Sequence, residues 1–418
     1  MHKLFLGASC AALLASGAAC AQSPAETEAP RFTNVTDTHL PTPPERGSAS
    51  MDAAPVDIDG DGDLDLVLPQ EWRTNRILIN DGSGRFTVRE NAFPEPSEQE
   101  LVRPETAPDW LLKDTEDVSI ADFNGDGVLD IVMVVEDDVK FARREVHQYY
   151  IGSPDGSYTR VYGQLPDTEA NAVAHGDVNA DGALDLLISG AAQDVLLIND
   201  GKGVFSDETA KRLPREAAVA QDGELFDADG DGDLDIVLGI EGGHALWIND
   251  GAGVFADESA ARLPTPGFVE ARKVTPQDVD GDGDLDLYFA HVSWQGRDGQ
   301  DRLYINDGSG TFTDETEARL GNEGDLTLDA KFSDLDLDGD PDLVLGNAGS
   351  IQIYTNDGDG NFTRVTEAAL GEGGNVTGTS ITLEVADFNG DGRPDIFVGQ
   401  LSGLSPEPAT DRLFLAVP

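Results

Sequence analysis

Seven times this chain repeats one nine-residue phrase, D-x-[DN]-x-D-G-x-x-D, and each copy runs directly into a short apolar segment. The copies start at Asp57, Asp122, Asp177, Asp227, Asp278, Asp334 and Asp387, with 65, 55, 50, 51, 56 and 53 residues between successive starts. Recurrence at that period is the mark of a modular array in which each repeat is one supersecondary unit that needs its neighbours to bury its apolar face. The phrase itself has the chemistry of a cation cage, so one feature bears on both architecture and cofactor.

Alternate side chains at positions 1, 3 and 5 converge on one point, the glycine at position 6 permits a sharp turn, position 7 offers a carbonyl, and the aspartate at position 9 closes the shell. The expected metal ligands are Asp57, Asp59, Asp61 and Asp65 in the first copy, then Asp122, Asn124, Asp126 and Asp130, and Asp177, Asn179, Asp181 and Asp185. The later copies supply Asp227, Asp229, Asp231 and Asp235; Asp278, Asp280, Asp282 and Asp286; Asp334, Asp336, Asp338 and Asp342; and Asp387, Asn389, Asp391 and Asp395. Hard oxygen donors in this number and flexibility suit Ca²⁺ better than Mg²⁺. Up to seven calcium ions are expected, held more weakly where Asn124, Asn179 and Asn389 replace a charged ligand. The start resembles an EF-hand loop but the end does not. Position 12, where an EF-hand carries Glu, is Leu68, Met133, Ile188, Leu238, Phe289, Leu345 or Val398, so the loop joins strand to strand.

After each cage come a second strand, a variable loop, a third strand such as Arg76-Ile77-Leu78-Ile79-Asn80, a tight N-D-G-x-G turn and a fourth strand opening on Phe. The turn recurs at Asn80, Asn199, Asn249, Asn306 and Asn356, and in a degenerate form from Gly152 to Tyr158. Asp-Gly and Gly-x-Gly steps are hairpin chemistry. The chain ends at a third strand, Arg412-Leu413-Phe414-Leu415, and begins near Arg31-Phe32-Thr33-Asn34 with what matches a fourth. The expected fold is therefore all-β: a seven-bladed β-propeller of four-stranded antiparallel blades, closed by the N-terminal strand completing the last blade, which removes open sheet edges.

The aspartate loop and the N-D-G-x-G-x-F turn resemble the FG-GAP/VCBS repeat family, the propeller type also found in integrin alpha-chain heads. The resemblance covers about residues 31 to 418 and implies the propeller fold and calcium. It does not carry over an activity, because that family mixes adhesins, lectin-like modules, polysaccharide lyases and unassigned secreted proteins. Its name-giving Phe-Gly and Gly-Ala-Pro phrases are matched only loosely, by strand ends such as Leu238-Gly239, Leu345-Gly346 and Val398-Gly399.

Residues 1–21 read as a secretory signal: Lys3, an Ala- and Leu-rich run, and Ala19-Cys20-Ala21 before Gln22. A lipoprotein leader acylated at Cys20 is the second reading. Residues 22–30 form a linker and 31–418 the propeller. Cys10 and Cys20 are the only cysteines, so the exported part has no disulfides. The expected location is secreted, periplasmic or cell-envelope, without a transmembrane segment. With 80 acidic and 27 basic residues the net charge is −53, which excludes nucleic acid as a partner. The cages gather 25 of the aspartates, and bound ions would offset part of that charge.

Connections on the cage side are nearly constant in length, whereas every insertion falls on the opposite side. Variable loops on a rigid scaffold are where binding resides. The inserted loops hold Trp72, Trp110, Arg143, His147, Tyr149, His291, Trp294 and Arg297, suited to stacking on sugar rings and pairing with anionic groups. Trp247, His175 and His244 read as structural. There is no G-x-S-x-G, H-E-x-x-H or phosphate-binding glycine loop. The expected function is a non-catalytic recognition or adhesion module for carbohydrate or for an extracellular or envelope protein. The alternative is a calcium-dependent polysaccharide lyase or glycoside hydrolase using His147, Tyr149 or His291 as base.

Overall fold

Each copy of the phrase turns the chain between the first two strands of an antiparallel sheet. In the fourth unit Ala220–Phe226 leads into the cage, Asp235–Ile240 leaves it, and Gly243–Asn249 and Phe255–Asp257 follow, each strand pairing with the next. The computed structural model describes residues 29–42, 47–71, 73–94, 114–136, 146–190, 193–215, 219–293, 298–321, 326–401 and 409–418. Among them, the first five units each form a four-stranded sheet, over 54–88, 115–161, 172–207, 220–257 and 271–314. All strand pairings are antiparallel.

The last two units share one seven-stranded sheet, so six sheets stand where seven were expected. The connection in the sixth unit is very short, and Asp342–Asn356 continues through it as a single element. Gly349, at φ +95°, lets the backbone double back. The exposed edge beside it pairs with Asn375–Ala386 through Ala348↔Thr379 and Ser350↔Asn375. At the far edge of the same sheet the N-terminal strand Arg31–Asn34 lies against Arg412–Val417.

The strand that leaves each cage is buried along almost its whole length, from Asp65–Leu68 to Asp395–Leu401. Strands in this position read as unbroken apolar runs because sheets cover both of their faces. The core is accordingly divided among interfaces between successive units, each an apolar cluster. Val132, Val134 and Tyr149 of the second unit, for example, meet Val173, Leu186 and Leu197 of the third. One further cluster joins Leu66, Leu78 and Phe86 of the first unit to Phe388, Phe397 and Leu413 of the last.

The turn asparagine ties units together with hydrogen bonds. Asn249 Nδ2 donates to Leu234 O at 2.9 Å in its own unit and to Val178 O at 2.8 Å in the cage of the preceding one. Its Oδ1 accepts from Gly251 N and Gly253 N. Asn199, Asn306 and Asn356 repeat the reach to Phe123, Ala228 and Val279, and Asn80 makes it to Phe388 of the last unit. Replacing this side chain strands four backbone groups, two of them buried and two half-buried. Asn249→Ala is therefore expected to cost about 3 kcal/mol, and Asn249→Asp at least as much because a carboxylate would face two carbonyls. The urea midpoint of each variant against the parent measures it, and an unchanged midpoint would refute the role.

Candidate functional site

In the first cage the Asp57 carboxylate organises the loop. Its Oδ1 accepts from Gly60 N and Asp61 N at 2.8 and 3.1 Å, and its Oδ2 from Gly62 N at 3.0 Å. Asp59 Oδ1 accepts from Asp61 N and Asp61 Oδ1 from Asp63 N. These bonds turn the three side chains inward, so that one oxygen of each lies within 4.8 Å of the others. The same convergence holds for Asp227, Asp229 and Asp231 and for Asp278, Asp280 and Asp282. Where Asn replaces Asp, the amide oxygen keeps the position: Asn124, Asn179 and Asn389 accept from Asp126, Asp181 and Asp391 N at 2.9, 3.0 and 2.9 Å. Position 4 requires positive φ. Glycine fills it in five cages, while Ala180 and Leu337 adopt φ +57° and +64°, a conformation L-residues take at a cost.

The residues fit a hard cation. The Oδ1 atoms of Asp229 and Asp280 are buried without a hydrogen-bond partner, and a buried oxygen left so is costly unless an ion or water completes it. A divalent ion at each cage would be held by positions 1, 3 and 5. It would cross-link the loop and neutralise crowded carboxylates.

Position 9 does something the sequence did not reveal. Asp235 is buried, with Oδ1 accepting from Asn249 N at 2.7 Å and Oδ2 from Ala228 N at 2.9 Å. All seven copies make both bonds, with Gly152 N and Ala416 N standing in for the turn asparagine in the second and last units. This aspartate clamps the cage to the following hairpin. Only in the sixth cage does it join the converging set, as Asp342 with Asp334 and Asp336.

A second unforeseen participant is an arginine at the end of the short helix after the fourth strand. Arg262 Nε pairs with Glu258 at 2.5 Å, its Nη1 donates to Ser309 O in the next unit's turn, and its Nη2 stands 3.3 Å from Asp229 of the cage. Arg319 makes the same set with Glu315, Asp359 O and Asp280. The signal was the recurring D-E-[ST]-x-x-R-L phrase at Asp207, Asp257 and Asp314.

The FG-GAP-like repeat family matches residues 57–133, 177–238, 227–289, 278–344 and 334–398, each match running from one cage through the next. The chain belongs to the FG-GAP-like repeat family. No curated protein matches it in sequence. Solved structures share the fold at low identity. A lectin of Agrocybe aegerita, described for specific recognition of non-reducing terminal N-acetylglucosamine, is 18% identical with a TM-score of 0.51 over 78% of this chain and 83% of the lectin. BBS1N, solved in complex with ARL6DN, is 10% identical with a TM-score of 0.53 over 89% of this chain and 93% of that one. The extracellular domain of a putative one-component system, BT4673 of B. thetaiotaomicron, is 12% identical with a TM-score of 0.52 over 92% of this chain but only 39% of that longer chain. The fold is thus of β-propeller type.

The FG-GAP-like repeats place the expected ligand-face residues unevenly. Trp72, Trp110, Arg143, Trp294 and Arg297 lie outside the described residues. His147, Tyr149 and His291 are interior, exposed by 2%, 0% and 0%, so they form no open binding surface. His147 Nδ1 accepts from Val135 N at 3.1 Å and its Nε2 meets Thr168 Oγ1 at 3.0 Å. It fills a slot five residues ahead of the turn, where Asn75, Asp301 and Asp411 likewise accept the N–H that ends the second strand. Tyr149 packs against Phe123 and Phe205. His291 Nε2 lies 2.9 Å from His244 Nε2, its Nδ1 donates to Gln300 O, and burial pushes its pKa down to about 4.

The first strands of the repeats converge on a cavity of about 90 Å³ that sequence reasoning missed. Every unit contributes to its lining, from Asp52 to Thr382, and most contributions are polar. The signal was a run of polar residues in strands otherwise read only as lead-ins to the cages, as in Gln221-Asp222-Gly223-Glu224.

The clamp aspartates set a pH dependence. Burial pushes Asp65, Asp130, Asp185 and Asp235 up to about 6, and Asp286, Asp342 and Asp395 up to about 7, against 3.8 when unfolded. Between pH 4 and 7 the folded metal-free chain therefore holds protons that the unfolded chain releases, so its stability falls as pH rises through that window. His39, His175, His244 and His291, pushed down by burial, act oppositely below pH 6.5 but are four against seven. Metal-stripped protein is expected to melt higher at pH 5.5 than at 7.5, and calcium-loaded protein to reverse the order because ions bind ionised ligands. Calorimetric melts of both forms at the two pH values decide it.

Proposed function

We propose that this chain is an exported, calcium-stabilised, seven-bladed propeller acting as a non-catalytic recognition module for a carbohydrate or a surface protein. The observation that carries the reading is how the polar side chains are spent. The cages and their clamps recur in every unit and act as scaffold. The two histidines that a lyase would have needed as bases are locked inside by structural hydrogen bonds. Recognition then falls to the variable loops opposite the cages, where Trp72, Trp110, Arg143, Trp294 and Arg297 stand in the sequence. That the lectin of Agrocybe aegerita shares the fold makes a glycan the first ligand to try.

Closure into a ring is supported by arithmetic. A row of seven units has six interfaces, yet apolar clusters join every successive pair and also the last unit to the first. The Arg31–Asn34 strand beside Arg412–Val417 and the Asn80 bond to Phe388 O favour the same reading. Residues 1–21 serve as the export signal in this account, 22–30 as linker and 31–418 as propeller. Among the described residues no helix is long and apolar enough to cross a membrane.

Two outcomes test the proposal. Removing calcium should lower the melting temperature by well over 10 °C, since dozens of clustered carboxylates then repel; a melt unchanged in excess chelator would defeat the metal assignment. A glycan array probed with calcium-loaded protein should give retention that Trp110→Ala or Trp294→Ala reduces at least tenfold. A blank array with folded protein would move the ligand to a protein of the cell surface, and retention indifferent to both substitutions would reject the loop face.

A further inference from the structure

Outside the cages, charge also gathers around the central cavity, whose lining includes Glu116, Glu136 and Arg272. Five residues ahead of each cage the seven units present Asp52, Asp117, Ala172, Asp222, Lys273, Asp329 and Thr382, and two residues further on Glu224, Lys331 and Glu384 add to them. These positions bring six carboxylates and two ammonium groups. The two lysines are spoken for: Lys273 Nζ lies 3.1 Å from Asp222 and 3.3 Å from Glu224, and Lys331 Nζ 2.9 Å from Glu384. Asp329 directs its oxygens at Ala330 N and Leu383 N, at 2.8 and 2.6 Å.

Asp52 and Asp117 are left facing each other in side-chain contact. Among the described residues no Lys or Arg stands within ion-pair distance of either. Asp52 also accepts from the Thr382 hydroxyl, at 3.4 Å, and Asp117 accepts from Val118 and Val173 N. Two carboxylates in contact in a sheltered site repel unless a proton or a cation lies between them. Burial and the neighbouring Asp52 raise the Asp117 pKa well above the ordinary carboxylate range although the Lys273 charge and the Val173 N–H pull it down, so the lysine offsets only part of the negative charge gathered here.

The lining selects among cations. Met51, Leu328 and Ile381, from the first, sixth and last units, make up the apolar part of the lining. A bare divalent ion wants oxygen on all sides, whereas methylene groups gain by lying against such side chains. A cavity of about 150 Å³ accepts benzene, so about 90 Å³ suits a chain of roughly four heavy atoms. We propose that the central cavity binds a primary alkylammonium group on a short methylene chain, its –NH₃⁺ between Asp52 and Asp117 and its methylenes against Met51, Leu328 and Ile381. A free aliphatic amine and the lysine side chain of a partner protein carry the same chemistry. This site is independent of the loops opposite the cages.

Calorimetric titration of calcium-saturated full-length protein with 1-butylamine and with Nα-acetyl-lysine methylamide tests it, at 0.15 M salt so that diffuse attraction to the acidic surface is screened. One saturable site is expected. Asp52→Asn should weaken it at least tenfold while leaving the melting temperature equal or higher, because a repulsion is removed. Glu317→Gln, which deletes one exposed charge elsewhere, should change nothing. Met51→Trp should fill the apolar side and abolish binding without touching a carboxylate. Tighter binding of the lysine derivative identifies a partner's lysine as the source, and tighter binding of butylamine a free amine. Absence of a saturable site in the parent, or equal losses in Asp52→Asn and Glu317→Gln, overturns the proposal.

Discussion

A buried carboxylate accepting two backbone N–H groups is the interaction on which the rest of this molecule depends. The aspartate that ends each repeated phrase holds the start of its own cage with one oxygen and the start of the next hairpin with the other. Without it the loop that gathers the candidate metal ligands would be free to move relative to the sheet. The neighbouring asparagine then carries the constraint into the preceding unit. Loop, sheet and neighbour are thus fixed by a few polar atoms repeated with little change. The interfaces between units supply the hydrophobic energy, and the polar ties set the register in which it is gained.

That arrangement has an electrostatic cost, met differently in different places. At the cages, ligand oxygens crowd together and some are left without a hydrogen-bond partner, so an ion is the natural complement. In the fourth and fifth units Arg262 and Arg319 approach the same carboxylates and offset part of the charge from the protein side. At the centre, Lys273 and Lys331 neutralise only some of the surrounding acids. Arginines and lysines answer one problem in two places, a cation would answer it at the cages, and their distribution separates scaffold from candidate binding sites.

Much of this was legible in the chain itself. The phrase at Asp57 and its six echoes announce the loop, and the N-D-G turn announces the hairpin. Arg31-Phe32-Thr33-Asn34 was readable as a stray fourth strand because its partner strands are missing at one end and its counterpart at the other. What misled was reading residue type without slot. His147 follows a long insertion and so looked like part of a binding loop. Yet the position five residues ahead of the turn needs a hydrogen-bond acceptor whatever the loop before it does, and imidazole serves there as aspartate does in Asp301 and Asp411. The merging of the last two units was hidden for a different reason: it depends on how far a strand stays extended after a short connection, which composition does not encode. The central cavity was hidden because its residues are adjacent only through the convergence of strands some fifty residues apart.

The strand Arg31–Asn34 lies beside Arg412–Val417, with the Arg31 guanidinium donating to the carbonyl of Pro418, 387 residues away. Among the described residues, the strand made earliest therefore pairs with the strand made last. Contacts of such sequence separation are slow to form, and until Arg412–Val417 is in place the Arg31–Asn34 strand has an unpaired edge. Edges of this kind are templates for association with other chains. A chain built this way gains from being kept unfolded until both strands are present, and loss of either would leave the other without its partner.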